Sequence, residues 1–211
     1  MKNKTMNPDP CFKPGHVAIF SDDKIRTSLI LECLKQMITG KVHVVLVSEN
    51  RKPYQTWLDK HALSVRHHRT VDELQHAWPR YFEEQEVKFQ HTSFDQKEQI
   101  SRMIFVFDAC LEPPFTFSRL FSHLFRNGAC LRMSAIVHDT LPKFPSDISA
   151  NLHYILLEPT DDRRTRQKFF VHFAGMLPCV QEFNRLFEEI TRDDGIVLID
   201  QTKPKGEIRR F

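Results

Sequence analysis

Glycine is scarce in this chain, with 6 residues in 211 against 18 phenylalanines and 12 prolines. Its turns must therefore lean on proline, aspartate and asparagine, and its core is expected to be rich in aromatic rings. Long apolar runs are missing too. None approaches the roughly 18 to 20 residues that span a bilayer, and the opening "MKNKTMNPDPCFKPGH" lacks the apolar centre of a signal peptide, so a soluble intracellular chain without membrane contact is expected. There is no CxxC and no paired-histidine spacing. The five cysteines (Cys11, Cys33, Cys110, Cys130, Cys179) are odd in number and scattered, which fits reduced thiols better than a bridge framework or a zinc site. HExxH, GxSxG and GxGxxG are all absent, leaving metalloprotease, serine-hydrolase and dinucleotide readings without support. A strong charge bias is lacking as well: a net charge of +3 with eleven histidines permits contact with nucleic acid without arguing for it.

What is present is a regular alternation. Residues 1–15, with Pro8, Pro10, Pro14 and Gly15 among polar side chains, read as an irregular arm. "HVAIF" (16–20) is a short buried strand. The stretch 26–38 places Leu29, Ile30, Cys33, Leu34 and Met37 on one helical face, with Gly40 as its stop. "VHVVLVS" (42–48) is a second strand. Residues 49–99 are polar and helical in pieces, and Thr70 with Glu73 three residues on forms a capping-box start. "RMIFVFDAC" (102–110) is a third strand, followed by a helix over 115–128 with Phe117, Leu120, Phe121, Leu124 and Phe125 inward. "LRMSAIVH" (131–138), "LHYILLE" (152–158) and "GIVLID" (195–200) supply three more strands, with helices near 162–174 and 181–192 between the last two.

Such an alternation of continuous apolar strands and helices predicts an α/β fold, a three-layer sandwich with a mostly parallel central sheet flanked by helices. One domain over 16–202 is expected, with a basic C-terminal tail, "KPKGEIRRF" (203–211), that reads as disordered. "VRHHR" (65–69), together with His61 and His76, reads as a solvated basic loop. Ligands of parallel sheets lie beyond the carboxyl ends of the strands, which directs attention to the residues after Phe20, Phe107 and Val137. The first of these ends opens "SDDKIRT": strand, polar turn, helix. That is the layout of a loop that grips phosphate, but it holds two aspartates and no glycine.

The segments "FVFDAC", "LFSHLFRNGACLRMSAIVHDTLPKFPSDISANLHYILL" and "FFVHFAGMLPCVQEFNRLFEEITRDDGIVLID" resemble, in order, landmarks of the genome-packaging ATPases of poxviruses and other large DNA viruses, in the FtsK/HerA branch of P-loop NTPases. The resemblance covers nearly the whole chain from His16 and implies ATP hydrolysis coupled to DNA packaging. It implies a phosphate loop of the form GxxxxGK[ST], whose glycines let backbone N–H groups curl around phosphates while the lysine holds the β- and γ-phosphates and the hydroxyl binds Mg²⁺. Aligned without a gap, Phe20 and Ile25 stand at the two glycines, Arg26 at the lysine and Thr27 at the hydroxyl, leaving Arg26 and Thr27 as the cofactor-binding candidates. A Cβ at Ile25 penalises positive φ. Asp22 and Asp23 bring negative charge to the phosphate position; at about 4 Å and an effective dielectric near 20, each unit pair repels by roughly 4 kcal/mol.

The resemblance also implies a magnesium-shell carboxylate and a second, water-polarising carboxylate at the end of the third strand. Asp108 fills the first position, and with Thr27 would complete a metal shell. Ala109 fills the second, with Glu112 as a remnant candidate. His138 and Asp139 stand near a sensor position that is usually glutamine, and Ser149 stands where an arginine is expected; aspartate repels phosphate and serine carries no charge for a transition state. Arg163, Arg164 and Arg166 read as a solvated helix start.

Five changes on one side of the sheet favour a pseudo-ATPase without cofactor, a structural or interaction subunit in genome packaging or virion assembly. Its implied setting is the infected host cell, cytoplasm or nucleus, or the virion, with an active packaging ATPase, capsid proteins or further copies as partners. Two alternatives stand beside it. One is an active divergent Mg-ATP hydrolase using Arg26, Thr27 and Asp108 with Glu112 or Asp139; the other is a nucleotide-independent DNA-binding protein.

Overall fold

The computed structural model describes residues 15–211 apart from 39, 41, 112, 117 and 142. The elements run β1 (Val17–Phe20), α1 (Arg26–Met37), β2 (Val42–Val47), α2 (Lys52–His61), β3 (Ser64–His68), α3 (Val71–His91), β4 (Arg102–Asp108), α4 (Pro113–Thr116), α5 (Arg119–Asn127), β5 (Met133–Asp139), α6 (Ser146–Ser149), β6 (Tyr154–Leu157), α7 (Arg163–Phe173), α8 (Val180–Thr191), β7 (Val197–Asp200) and β8 (Glu207–Arg210). One sheet contains all eight strands in the order β3-β2-β4-β5-β1-β6-β7-β8. The first six in sequence pair in parallel, and β7 and β8 add antiparallel at one edge. The architecture is the three-layer α/β sandwich expected from the alternation of strands and helices.

Both faces are covered, which is why the central strands read as unbroken apolar runs. On one face Val17, Ile19, Val44, Leu46, Ile104, Val106 and Ile136 pack with Ile30, Cys33 and Leu34 of α1 and with Tyr54 and Leu58 of α2. The other face is aromatic. Trp78 of α3 lies 5.0 Å from the Phe105 ring and 5.8 Å from that of Phe115, and Phe20 stacks on Phe173 of α7 at 5.3 Å. Offset ring pairs of this kind add roughly 0.5 to 1.5 kcal/mol each beyond their buried area. Thr70 accepts the Glu73 N–H while the Glu73 carboxylate accepts the Arg69 N–H, so the start of α3 is capped from both directions.

Several details depart from the sequence expectation. "VRHHR" is not a loop: residues 64–68 form the edge strand β3, parallel to β2. Its polar side chains have partners distant in sequence. Arg66 pairs with Glu84 at 3.0 Å and lies over the Tyr81 ring, His67 Nε2 lies 2.8 Å from the Ser48 carbonyl, and His68 Nε2 lies 2.7 Å from the Tyr81 hydroxyl. Charged edges of this kind resist further strand addition. The tail beyond residue 203 is likewise structured. Gly206, at φ 64°, closes a turn with its N–H on the Lys203 carbonyl, and β8 then pairs with β7 and packs Ile208 against the aromatic core.

The helix expected over 115–128 divides, because the Ser118 hydroxyl accepts the Phe121 N–H and starts α5 afresh. Leu120 is exposed rather than inward. Residues 1–14 of the arm expected over 1–15, Cys11 among them, and the inward Phe117 lie outside the described residues. No helix among the described residues is long and apolar enough to cross a membrane.

Candidate functional site

The register of the sheet sets one row of residues at the carboxyl ends of the strands. Val47 pairs with Phe107 and Asp108 with His138, so Ser48, Asp108 and His138 stand side by side at that edge. Strand alternation turns them toward the α1 face, beneath the loop that joins β1 to α1. That loop, residues 21–25, makes a tight turn and enters α1 at Arg26, the position of the lysine in the aligned motif. Ile25, at a glycine position of that motif, has φ −104° and ψ −5°, and no residue from 20 to 27 has positive φ. The curled succession of amides that glycines permit is not formed.

The loop's polar groups are turned onto the chain's own carboxylates. The Asp22 N–H donates to Glu158 Oε2 at 2.5 Å, and the Lys24 N–H donates to Asp22 Oδ1 at 2.8 Å. Arg26 Nη1 donates to Asp23 Oδ1 at 2.7 Å. On its other side Arg26 Nε lies 2.9 Å from Asp108 Oδ1, a charge contact whose N–H is not aligned for a hydrogen bond. Asp108 is buried, with only 4% of its side chain exposed, and its Oδ2 accepts from the Ser48 hydroxyl at 2.8 Å.

Burial and this charge set the neighbouring titrations. Tyr54 of α2 lies near Asp108 and Thr27; burial first, then the Asp108 charge, pushes its phenol up. Burial holds His138 below its ordinary value, with Arg26 acting in the same direction and Asp108 against it. Its Nε2 lies 3.0 Å from the Ser21 hydroxyl, so the neutral ring ties β5 to the start of the loop. Cys110 is pushed up to about 12, by burial and then by the Asp108 charge. Ala109, at the position of the second carboxylate, has φ 51°, a left-handed conformation that costs a non-glycine residue roughly 1 to 2 kcal/mol.

The residues singled out in the sequence are thus brought together only in part. Phe20, Ile25, Arg26, Thr27 and Asp108 surround the loop, as do Asp22 and Asp23. Asp139, at the end of β5, uses Oδ1 to accept the Thr140 N–H at 2.6 Å and so caps its own turn. Ser149 is buried in α6 with its hydroxyl unpartnered among the described residues. Arg166 corrects the expectation of a solvated helix start: it is buried, pairs with Glu188 at 2.6 Å and lies over the Phe187 ring. Glu112 lies outside the described residues. Among the described residues no group of three or more His, Cys, Asp or Glu side chains is placed to hold a metal ion.

Three participants were not singled out in the sequence: Ser48, Tyr54 and Glu158. Ser48 and Glu158 follow β2 and β6, so the strand-end rule that picked out Asp108 would have found both if applied to every parallel strand. Tyr54 carries no comparable signal, because an aromatic residue on the apolar face of a helix ordinarily reads as core.

This sheet order, with β1 between β5 and β6 and helices on both faces, defines a P-loop NTPase fold. Solved structures agree over most of the chain. The genome packaging NTPase B204 from Sulfolobus turreted icosahedral virus 2, in complex with AMPPCP, matches 93% of this chain and 97% of its own at a TM-score of 0.57 and 10% identity. The conjugation coupling protein TcpA of pCW3 matches 94% of this chain and 60% of its own at a TM-score of 0.63 and 10% identity. The type VII secretion ATPase EccC of Thermomonospora curvata matches 94% of this chain and 25% of its own, with a TM-score of 0.62 and 12% identity. In sequence, the uncharacterized protein L437 of Acanthamoeba polyphaga mimivirus is 25% identical over 109 residues. That is half of this chain, which spans 38% of the length of the mimivirus protein. No protein-family model matches the chain.

Proposed function

We propose that this chain is a catalytically degenerate homologue of viral DNA-packaging ATPases, retained as a structural or interaction subunit in genome packaging or virion assembly. The fold shared with the packaging NTPase B204 and the partial identity to a mimivirus protein support the setting, an infected cell or a virion. The partners that follow are an active packaging ATPase, capsid proteins or further copies of this chain. One observation carries the loss of catalysis: the Arg26 guanidinium lies between Asp23 and the buried Asp108. To hold a triphosphate, Arg26 would have to leave both carboxylates. Asp108 would then stay buried without a counter-charge, at a cost of several kcal/mol. The residues present therefore do not fit Mg-ATP as a glycine-rich loop does, and no hydrolytic step is assigned to them.

The test is calorimetry with ATP and Mg²⁺ beside a phosphate-release assay on the wild-type chain and Asp108→Ala. No turnover is expected from either protein. Turnover by the wild type that Asp108→Ala abolishes would overturn the proposal in favour of an active divergent ATPase.

A second reading, contact with DNA that needs no nucleotide, is favoured by the outer face of α7. Arg163, Arg164 and Lys168 are exposed there, and none of them is in an ion pair among the described residues.

A further inference from the structure

Resting on the proposal of a degenerate loop, we infer that Glu158 is the loop's built-in anion, a carboxylate of the chain seated where a phosphate loop presents its amides to a ligand. Glu158 grips the loop from both ends of one residue. Its own N–H donates to the Phe20 carbonyl at 3.0 Å, and its Oε2 accepts the Asp22 N–H at 2.5 Å, so Ser21 is bracketed between two bonds to the same residue. The position is fixed by the sheet. Phe20 pairs with Leu157 in the β1–β6 register, which delivers the next residue, Glu158, to the first turn of the loop. The Asp22 carboxylate repeats the arrangement one step further along, on the Lys24 N–H at 2.8 Å. The two loop amides are thus each supplied with a carboxylate from within the chain, and Arg26 with two more, from Asp23 and Asp108.

The consequence is regulatory. A loop that needs a nucleotide to order it changes state with binding and hydrolysis. A loop ordered by Glu158 has a single state and presents one fixed surface to its partners.

Hydrogen exchange at the Asp22 amide, followed by NMR, tests this in the full chain without nucleotide. Glu158→Ala is expected to speed exchange at Asp22 about tenfold, equivalent to about 1.4 kcal/mol. Glu158→Gln, which keeps an acceptor oxygen, should restore most of the protection, and exchange in β4 and β5 should stay unchanged as the folding control. Millimolar inorganic phosphate should leave the wild-type Asp22 amide unaffected. Unchanged Asp22 exchange in Glu158→Ala, or phosphate protecting that amide in the wild type, overturns the inference. Because this readout needs no ATP, it separates from the turnover test. ATP hydrolysis with Glu158-dependent exchange would defeat the pseudo-enzyme and leave the built-in anion standing, and no turnover with Glu158-independent exchange would do the reverse.

Discussion

Replacing Asp108 by alanine distinguishes a structural ion pair from a working site through the sign of its effect on stability. In a working site a carboxylate is held ready for a metal, and its removal commonly stabilises the fold at the expense of activity. Here Arg26 Nε lies 2.9 Å from Asp108 Oδ1, and the Asp108 side chain is 4% exposed. Removing one partner of a fully buried pair costs about 3 to 5 kcal/mol, because the other charge is left uncompensated. Arg26 is 27% exposed and keeps Asp23 at 2.7 Å, so the cost should fall in a lower range of roughly 2 to 4 kcal/mol. Ser48 adds little to this, since its hydroxyl also reaches the Asn50 carbonyl at 3.2 Å. For a chain of this length each kcal/mol is worth about 2 to 4 °C, which gives a fall in Tm of roughly 4 to 16 °C. Urea unfolding with an unchanged m-value is the assay, completed by a cycle with Arg26→Met. The cycle should return a coupling of about 1 to 3 kcal/mol between the two positions. An Asp108→Ala protein as stable as the wild type, or more so, would refute the claim that the pair is structural.

Acid should destabilise the fold from neutrality downward. His16 is held down to about 3, chiefly by burial and secondarily by His153, and burial also lowers His43, His68, His138 and His153. In the unfolded chain these rings take up a proton near 6.5 while the fold keeps them neutral. Their contribution is therefore full above that pH and is lost as pH falls through it, by up to about 1.4 kcal/mol per pH unit for the fully buried His16 and by less for the rings that solvent reaches. For His16 the window runs from 6.5 down to about 3. Urea midpoints taken between about pH 7 and pH 5 should fall steadily, and a flat series would contradict the burial of these rings. If α7 touches DNA, affinity without nucleotide should drop steeply with salt, and changing Arg163, Arg164 and Lys168 to glutamine should flatten the log–log slope by about 2 to 3. A slope unaltered by the triple change removes α7 from the contact.

The sequence made the fold legible wherever packing is continuous. Valine-rich β2 and the apolar runs of β4 and β5 announce strands buried on both faces, and the spacing of Leu29, Ile30, Cys33 and Leu34 announces the inner face of α1. It hid β3 and β8, whose polar side chains look like loop until their partners are known; Arg66 needs Glu84, and Arg210 reaches the Asp193 carbonyl. The candidate site was legible as a set of residue types at strand ends and illegible as a set of contacts. Glu158 meets Asp22 across 136 positions, and nothing local to either residue encodes that meeting. Charge repulsion between Asp22, Asp23 and a phosphate could be inferred from composition, whereas the destination of Arg26 could not.

On the proposal of a degenerate loop, the two faces of the sheet explain how the fold persists without a phosphate site. The aromatic core that joins Trp78, Phe105, Phe107, Phe20 and Phe173 lies on the face opposite the β1–α1 loop. It buries the same rings whether or not anything binds above α1. What a bound ligand would otherwise supply to the loop is local: acceptors for amides and a counter-charge for the cation. In this chain Glu158, Asp22, Asp23 and Asp108 supply both from within. Placing a lysine at Arg26 and a glutamate at Ala109 would therefore leave the amides occupied and the cation neutralised. Phosphate binding at this loop would have to begin with the removal of carboxylates.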